Sequence, residues 1–113
     1  MNQVQYIQVI FTADTMEQTE RIGFALLEKR MAASAQIESV CSQYWWQGKI
    51  QKRQEFRCNL KTHIRLWPQV VAEIRALHTY KVPEIFAVPL VSATPDYLKW
   101  LAEELAGEEN NGC

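Results

Sequence analysis

The sequence predicts an α+β fold in which strands and helices follow one another in the order βαββαβ, with one further helix at the C-terminus. Two observations lead to this prediction. Runs of β-branched and aromatic residues, which are typical of strands, occupy residues 4–12 and 84–92. Two further runs of this kind lie within 35–61, on either side of a glycine turn. Apolar residues recur with the period of an α-helix over 14–32 and 65–78.

The first strand and the first helix are both expected to contact a core. In 4–12 apolar side chains occur on both faces, so we expect an interior strand that is partly covered on each side. In 14–32 the apolar residues cover one wide arc and the charged residues lie opposite. Asp14 or Thr15 can cap the start of this helix.

The middle of the chain is predicted to form a hairpin. The segments 44–46 and 56–60 read as strands, and Gly48 marks the turn between them. In the second strand Cys58 shares the core face with its alternate neighbours, whereas Glu55 belongs to the face that meets water or a polar interface.

The C-terminal part is predicted to add a helix, a strand and a last helix. Pro68 must lie in the first turn of its helix, and Pro89 places its strand at a sheet edge. Thr94 is expected to cap the last helix, which begins at Pro95. This order is that of the ferredoxin-like fold, with the helices on one face of an antiparallel sheet and the other face open.

Composition restricts the number of domains and the class of partner. The 113 residues are expected to form one domain, 1–106, with a frayed tail, 107–113. Twelve basic and thirteen acidic residues give a net charge of −1 without a basic patch, so we expect no nucleic-acid partner. The apolar runs are far shorter than the about 20 residues of a membrane span, so we expect no membrane partner. Three cysteines without CxxC spacing favour a reducing compartment, and we predict a cytoplasmic protein.

Five short blocks of the sequence resemble those of the CutA family. They are EKRMAA at 28–33, YWWQGKI at 44–50, LKT at 60–62, LHTYKVPEI at 77–85 and DYLKWL at 96–101. The typical forms in the family are EKRLAAC, YxWEGKI, LKT, LHPYEVPEI and DYLxWL. The five blocks occur in the family's order. They span residues 28–101, so the resemblance covers most of the chain.

This resemblance implies a ferredoxin-like fold, a stable homotrimer and a role in divalent-cation tolerance, with copper binding reported for the family. It implies no catalytic reaction, and the sequence shows no nucleophile with a base and an orienting partner. We therefore predict that the protein is not an enzyme.

Three positions depart from the family's blocks. Ser34 replaces the cysteine of AAC, Gln47 replaces the glutamate of WEGK, and Thr79 replaces the proline of HPY. A hydroxyl is a poorer ligand for soft metals than a thiolate. We therefore expect the binding of Cu or Zn to be weak.

The loop between the second helix and the fourth strand is the candidate site. It carries His78, Tyr80 and Glu84, and loops held by rigid elements often carry function. Imidazole and carboxylate are suitable ligands for Cu(II) or Zn(II), so His78 and Glu84 are predicted metal ligands and Tyr80 a predicted ligand-binding residue. The alternative is structural, because a histidine in the last turn of a helix interacts favourably with the helix dipole.

Lys61 and Trp46 are predicted to contribute to the same ligand site. Lys61 lies with Arg57 on the polar face of the third strand, which either binds an anion or is simply solvated. The run Tyr44-Trp45-Trp46 carries more aromatic area than one alternating strand can bury within its own domain. We therefore expect another copy of the chain to cover part of it, since aromatic residues are enriched at interfaces.

A second functional class is a PII-like regulatory protein that binds a small molecule at a cleft between subunits. PII-like proteins share the fold and the trimer, but they have a long mobile loop where this chain has Gln47-Gly48-Lys49. An acylphosphatase-like hydrolase would need an arginine-bearing phosphate loop after the first strand, and Thr12-Ala13-Asp14-Thr15 contains neither arginine nor glycine. An RNA-binding domain of this fold would carry stacking aromatics on the third strand, and 54–60 lacks that pattern.

Overall fold

The computed structural model describes residues 5–107, which form a four-stranded antiparallel sheet and three α-helices. The strands are β1 (Tyr6–Ala13), β2 (Ser34–Trp46), β3 (Lys49–His63) and β4 (Ile85–Pro89). The helices are α1 (Met16–Glu28), α2 (Trp67–Leu77) and α3 (Pro95–Glu104), and a 3-10 turn, Ile64–Leu66, precedes α2. The strand order across the sheet is β2-β3-β1-β4, which confirms the α+β, ferredoxin-like prediction. Apart from Gly107, the tail expected to fray lies outside the described residues.

The hydrophobic core lies between one face of the sheet and the pair α1 and α2. The alternate side chains of β1 point into it, as the period of a strand requires. Its fully buried members include Val9 and Phe11 on β1, Cys58 and Leu60 on β3, Ile22 and Leu26 on α1, and Val70 and Ile74 on α2. The predicted core face of the third strand is therefore confirmed at Cys58 and Leu60.

Helix α1 begins as predicted and ends earlier than residue 32. The Thr15 hydroxyl accepts a hydrogen bond from a backbone N–H of the first turn, so Thr15 is the N-cap. Arg30 has a positive φ of 56°, and the Met31 N–H donates back to the Leu26 carbonyl at 2.9 Å. This is a Schellman ending with a non-glycine residue in the left-handed region. The apolar pattern continues past Glu28 because the turn itself packs on the core, which is why the sequence predicted too long a helix.

Strands β2 and β3 form a longer hairpin than the sequence predicted. β1 pairs with β3 only as far as Phe56, so residues 49–55 pair with 40–46 alone. These two segments project from the sheet, and we call them the hairpin arm. Gln47 and Gly48 form the two-residue turn at the end of the arm, and both have a positive φ. A turn of this type has the same right-handed twist as the strands that it joins. The outer strand has few apolar residues in alternation, so its full length was not recognised.

The two edges of the sheet differ. β4 forms one edge, as Pro89 predicted. The Leu90 N–H donates to the Tyr6 carbonyl at 2.9 Å, so by strand alternation Pro89 lies where a backbone N–H would point outward. β2 forms the other edge, and no strand of the described chain pairs with its outer side.

The two C-terminal helices begin where the prolines predicted. Pro68 lies in the first turn of α2, and α3 starts at Pro95 with Thr94 as the N-cap residue. The Thr94 hydroxyl accepts no capping hydrogen bond. Among residues 5–107, no helix has both the length and the apolar character needed to cross a membrane.

Candidate ligand-binding cleft

A cleft of about 810 Å³ lies between the hairpin arm and the loop that joins α2 to β4. Its volume falls within the range of about 300 to 1,000 Å³ that is usual for small-molecule sites. Of the predicted site residues, Trp46, Tyr80 and Glu84 line this cleft together, whereas His78 and Lys61 do not line it. The structure therefore brings together three of the five residues that the sequence singled out.

The loop is positioned by hydrogen bonds to the sheet. Glu84 immediately precedes β4, and its Oε1 accepts a hydrogen bond from the Thr12 hydroxyl at 3.2 Å. Further along the loop, the Tyr80 hydroxyl donates to Glu55 Oε2 on β3 at 2.6 Å. Because these bonds reach two different strands, they fix the loop against the end of β1 and the base of the hairpin arm.

His78 is held by both of its ring nitrogens. Nδ1 accepts a hydrogen bond from the Tyr80 backbone N–H at 3.0 Å, and Nε2 lies 2.6 Å from the Thr12 carbonyl oxygen, to which it donates. The ring also meets the Phe11 ring edge-on, with centroids 6.3 Å apart. In this arrangement His78 positions the loop, and a metal ion could reach it only if one of these hydrogen bonds broke.

Lys61 lies elsewhere on the open face of the sheet. Its ammonium group donates to Asn59 Oδ1 at 3.1 Å and to Gln36 Oε1 at 3.3 Å, and Asn59 donates in turn to Gln8 Oε1 at 2.8 Å. Burial lowers the pKa of Lys61 below its ordinary value. Within one chain Lys61 is not part of the cleft, because it lies toward the end of β3 away from the hairpin arm.

Glu55 is the site residue that the sequence analysis missed. The alternation of β3 placed it on a face exposed to water or a polar interface, but only 4% of its surface is exposed. Tyr80 covers it, and burial, followed by the bond to Glu55, raises the pKa of the Tyr80 hydroxyl, which stays protonated and donates. No local pattern could reveal this pairing, since it depends on how the loop after α2 folds back.

The arginines beside the cleft are bound to carboxylates. Arg53 donates to Asp14 at 2.8 Å, and its guanidinium carbon lies 5.8 Å from the centre of the Tyr80 ring. Arg57 donates to Glu38 at 2.8 Å. Within residues 5–107, no group of three or more histidine, cysteine, aspartate or glutamate side chains could hold a metal ion.

Replacing His78 with alanine is expected to lower the free energy of unfolding by about 1 to 3 kcal/mol, because it leaves the partly buried Thr12 carbonyl and Tyr80 N–H without their partner. The Tyr80 amide should then exchange its hydrogen faster in native conditions. His78→Gln is the matched control, since its amide can donate and accept as the imidazole does. Equal stability of His78→Ala and wild type would contradict the positioning role.

The fold defines a small ferredoxin-like domain that carries a cleft of small-molecule size. The sheet has the strand order β2-β3-β1-β4, and the cleft has aromatic and charged walls. The chain belongs to the CutA1 divalent ion tolerance protein family, whose model matches residues 7–104. The resemblance read from the five sequence blocks is thereby confirmed.

Individual relatives agree with this assignment. The divalent-cation tolerance protein CutA of Archaeoglobus fulgidus is 37% identical over 95 residues, which cover 84% of this chain and 93% of that protein. Its solved structure, described as that of a periplasmic divalent cation tolerance protein, has a TM-score of 0.88 at 35% identity and covers 89% of this chain and 99% of that one. The structure of CutA1 from Shewanella sp. SIB1 has a TM-score of 0.89 at 26% identity, with coverage of 94% and 100%. The family is named for ion tolerance and not for a reaction, and a cytoplasmic location for this chain stays a prediction.

Proposed function

We propose that this protein acts in divalent-cation tolerance as a non-enzymatic, homotrimeric binding protein that takes its ligand into the cleft beside the hairpin arm. The observation that carries the proposal is the convergence of Trp46, Tyr80 and Glu84 on one cleft of small-molecule size. The two-residue turn of the arm counts against a PII-like signalling loop, so that alternative is not favoured.

Weak binding of Cu(II) or Zn(II) through Glu84 is part of this proposal. Glu84 is exposed, and beyond its bond to Thr12 the carboxylate accepts no hydrogen bond from the described residues. One carboxylate leaves most coordination positions to water, which favours low affinity. Ser34, which replaces the family's cysteine, pairs with Lys61 on β3 and so lies away from the cleft.

Self-association is supported by the apolar surface of the hairpin arm. Trp45 is 71% exposed and Ile50 is 64% exposed, and the two residues lie directly opposite each other on β2 and β3. A pair of large apolar side chains at the end of a projecting arm is costly to leave in water and is typical of an interface. A second and a third copy of the chain would cover it.

Calorimetric titration with Cu(II) and Zn(II) tests the cation site. We expect weak binding to wild type and binding about tenfold or more weaker to Glu84→Gln, because an amide replaces the anionic ligand. Glu20→Gln, on the exposed surface of α1, is the matched control. If Glu84→Gln binds as tightly as wild type, the cation site lies elsewhere.

The same titration on His78→Gln separates the two roles of His78. This variant can keep the loop hydrogen bonds but has no imidazole. Unchanged cation affinity is the expected result, and a loss as large as that of Glu84→Gln would identify His78 as a metal ligand.

A further inference from the structure

Glu55 is the one carboxylate that is buried among residues 5–107. It lies in the wall of the cleft, and one of its oxygens accepts the hydrogen bond from the Tyr80 hydroxyl at 2.6 Å. The other oxygen accepts no hydrogen bond from any described residue. This oxygen is not among the buried side-chain atoms that lack a partner, so it reaches solvent in the cleft. A ligand that carries a donor can therefore bind it in place of water.

Both arginines in the cleft lining are paired with other carboxylates. Arg53 is paired with Asp14 and Arg57 with Glu38, each at 2.8 Å. Lys81 lines the rim of the cleft, is exposed to solvent and forms no ion pair with the described residues. None of these three cations forms an ion pair with Glu55, and the water around Lys81 screens its repulsion of another cation.

The remaining wall of the cleft suits an organic ligand. Tyr44, Trp46 and Tyr80 give it an aromatic lining beside the Glu55 carboxylate. Aromatic faces attract ammonium groups and pack well against methylene chains, whereas a hydrated metal ion makes little use of them. Glu84 provides a second carboxylate in the same cleft.

We propose that the cleft binds a small organic amine, with its ammonium group on the free oxygen of Glu55, its methylene chain against the aromatic lining, and the second ammonium of a diamine on Glu84. This proposal shares the cleft with the proposed function but does not depend on metal binding. It assigns Glu55 as the anchoring residue and Glu84 as the residue that distinguishes diamines from monoamines.

Titration of wild-type protein with three probes of matched length tests the proposal: putrescine, n-butylamine and the uncharged 1,4-butanediol. Calorimetry and the fluorescence of the cleft tryptophans serve as readouts. We expect putrescine to bind more tightly than butylamine, and butanediol at least tenfold more weakly than either, because it lacks the charge. Equal binding of butanediol and putrescine, or no binding of putrescine, would overturn the proposal.

Two variants test the roles that the proposal gives to the carboxylates of Glu55 and Glu84. Glu55→Gln keeps an oxygen for the Tyr80 hydroxyl, and we expect at least a tenfold loss of affinity for both amines. Glu84→Gln should weaken putrescine and leave butylamine unchanged, a pattern that a general disturbance of the fold would not produce. Glu20→Gln should bind both amines as wild type does. Wild-type affinity of Glu55→Gln, or an equal loss for both amines in Glu84→Gln, would contradict the assignment.

Titration with Zn(II) separates this proposal from the proposed function. If Zn(II) binds and putrescine does not, the amine site is wrong and cation binding stands. If putrescine binds and neither Zn(II) nor Cu(II) does, the amine site stands and the metal part of the proposed function fails. If no probe binds, the amine site and the metal part of the proposed function are both wrong.

Discussion

Phe11→Ala is expected to lower the free energy of unfolding by about 3 to 5 kcal/mol, the usual cost of removing a buried aromatic ring. Phe11 is fully buried in β1, at the centre of the sheet between β3 and β4. Its ring also meets that of His78, so the cavity would lie beneath the loop that forms the cleft. The loss should therefore appear both in urea unfolding and as faster amide exchange in that loop.

Phe24→Ala is the matched control for this experiment. Phe24 is the same residue type, but 63% of its surface is exposed on α1. We expect a change of less than about 0.5 kcal/mol. Both variants must be measured at one chain concentration, because association adds to apparent stability. If the two variants lose equal stability, the burial assigned to β1 is wrong.

Replacing Trp45 and Ile50 together with serine is expected to weaken the assembly of the chains. These two side chains form an exposed cross-strand pair on the hairpin arm. Apolar residues at the centre of an interface often contribute about 2 kcal/mol or more, so the dissociation constant should rise at least about thirtyfold. Sedimentation equilibrium at micromolar concentration should show three chains for wild type and a smaller species for the variant.

Phe24→Ser provides the control for the assembly. It removes a comparably exposed apolar side chain from α1, and the variant should sediment as the wild type does. A monomeric wild type would refute the trimer outright. An unchanged mass of the double variant would show that the arm does not hold the assembly together.

The elements that the sequence predicts correctly are those with a regular period of apolar residues or with a proline. β1 and α2 have regular apolar patterns, and Pro68 and Pro89 have few positions that they can occupy in a helix or a sheet. The end of α1 was missed because Arg30 adopts a conformation that glycine usually supplies, which no propensity indicates.

The site was only partly accessible to sequence reasoning. Tyr80 and Glu84 belong to one short loop, so their proximity could be inferred. Glu55 is distant in sequence from that loop, and its burial arises only when Tyr80 folds over it. The sequence also could not show that both ring nitrogens of His78 form hydrogen bonds, since one partner, the Thr12 carbonyl, belongs to another element. Contacts between elements therefore decided which candidates the cleft contains.

The unlike edges of the sheet limit how the chains could polymerise. A fibre that grows by strand addition needs two edge strands on every molecule that can accept a partner strand. One pairs with the preceding copy and the other with the next. The border formed by β4 is only five residues long, and Pro89 offers no outward N–H there. The border formed by β2 is thirteen residues long and has no such interruption. A copy that pairs through β2 thus presents a poor template on its far side, so strand addition alone is not expected to continue into a fibre.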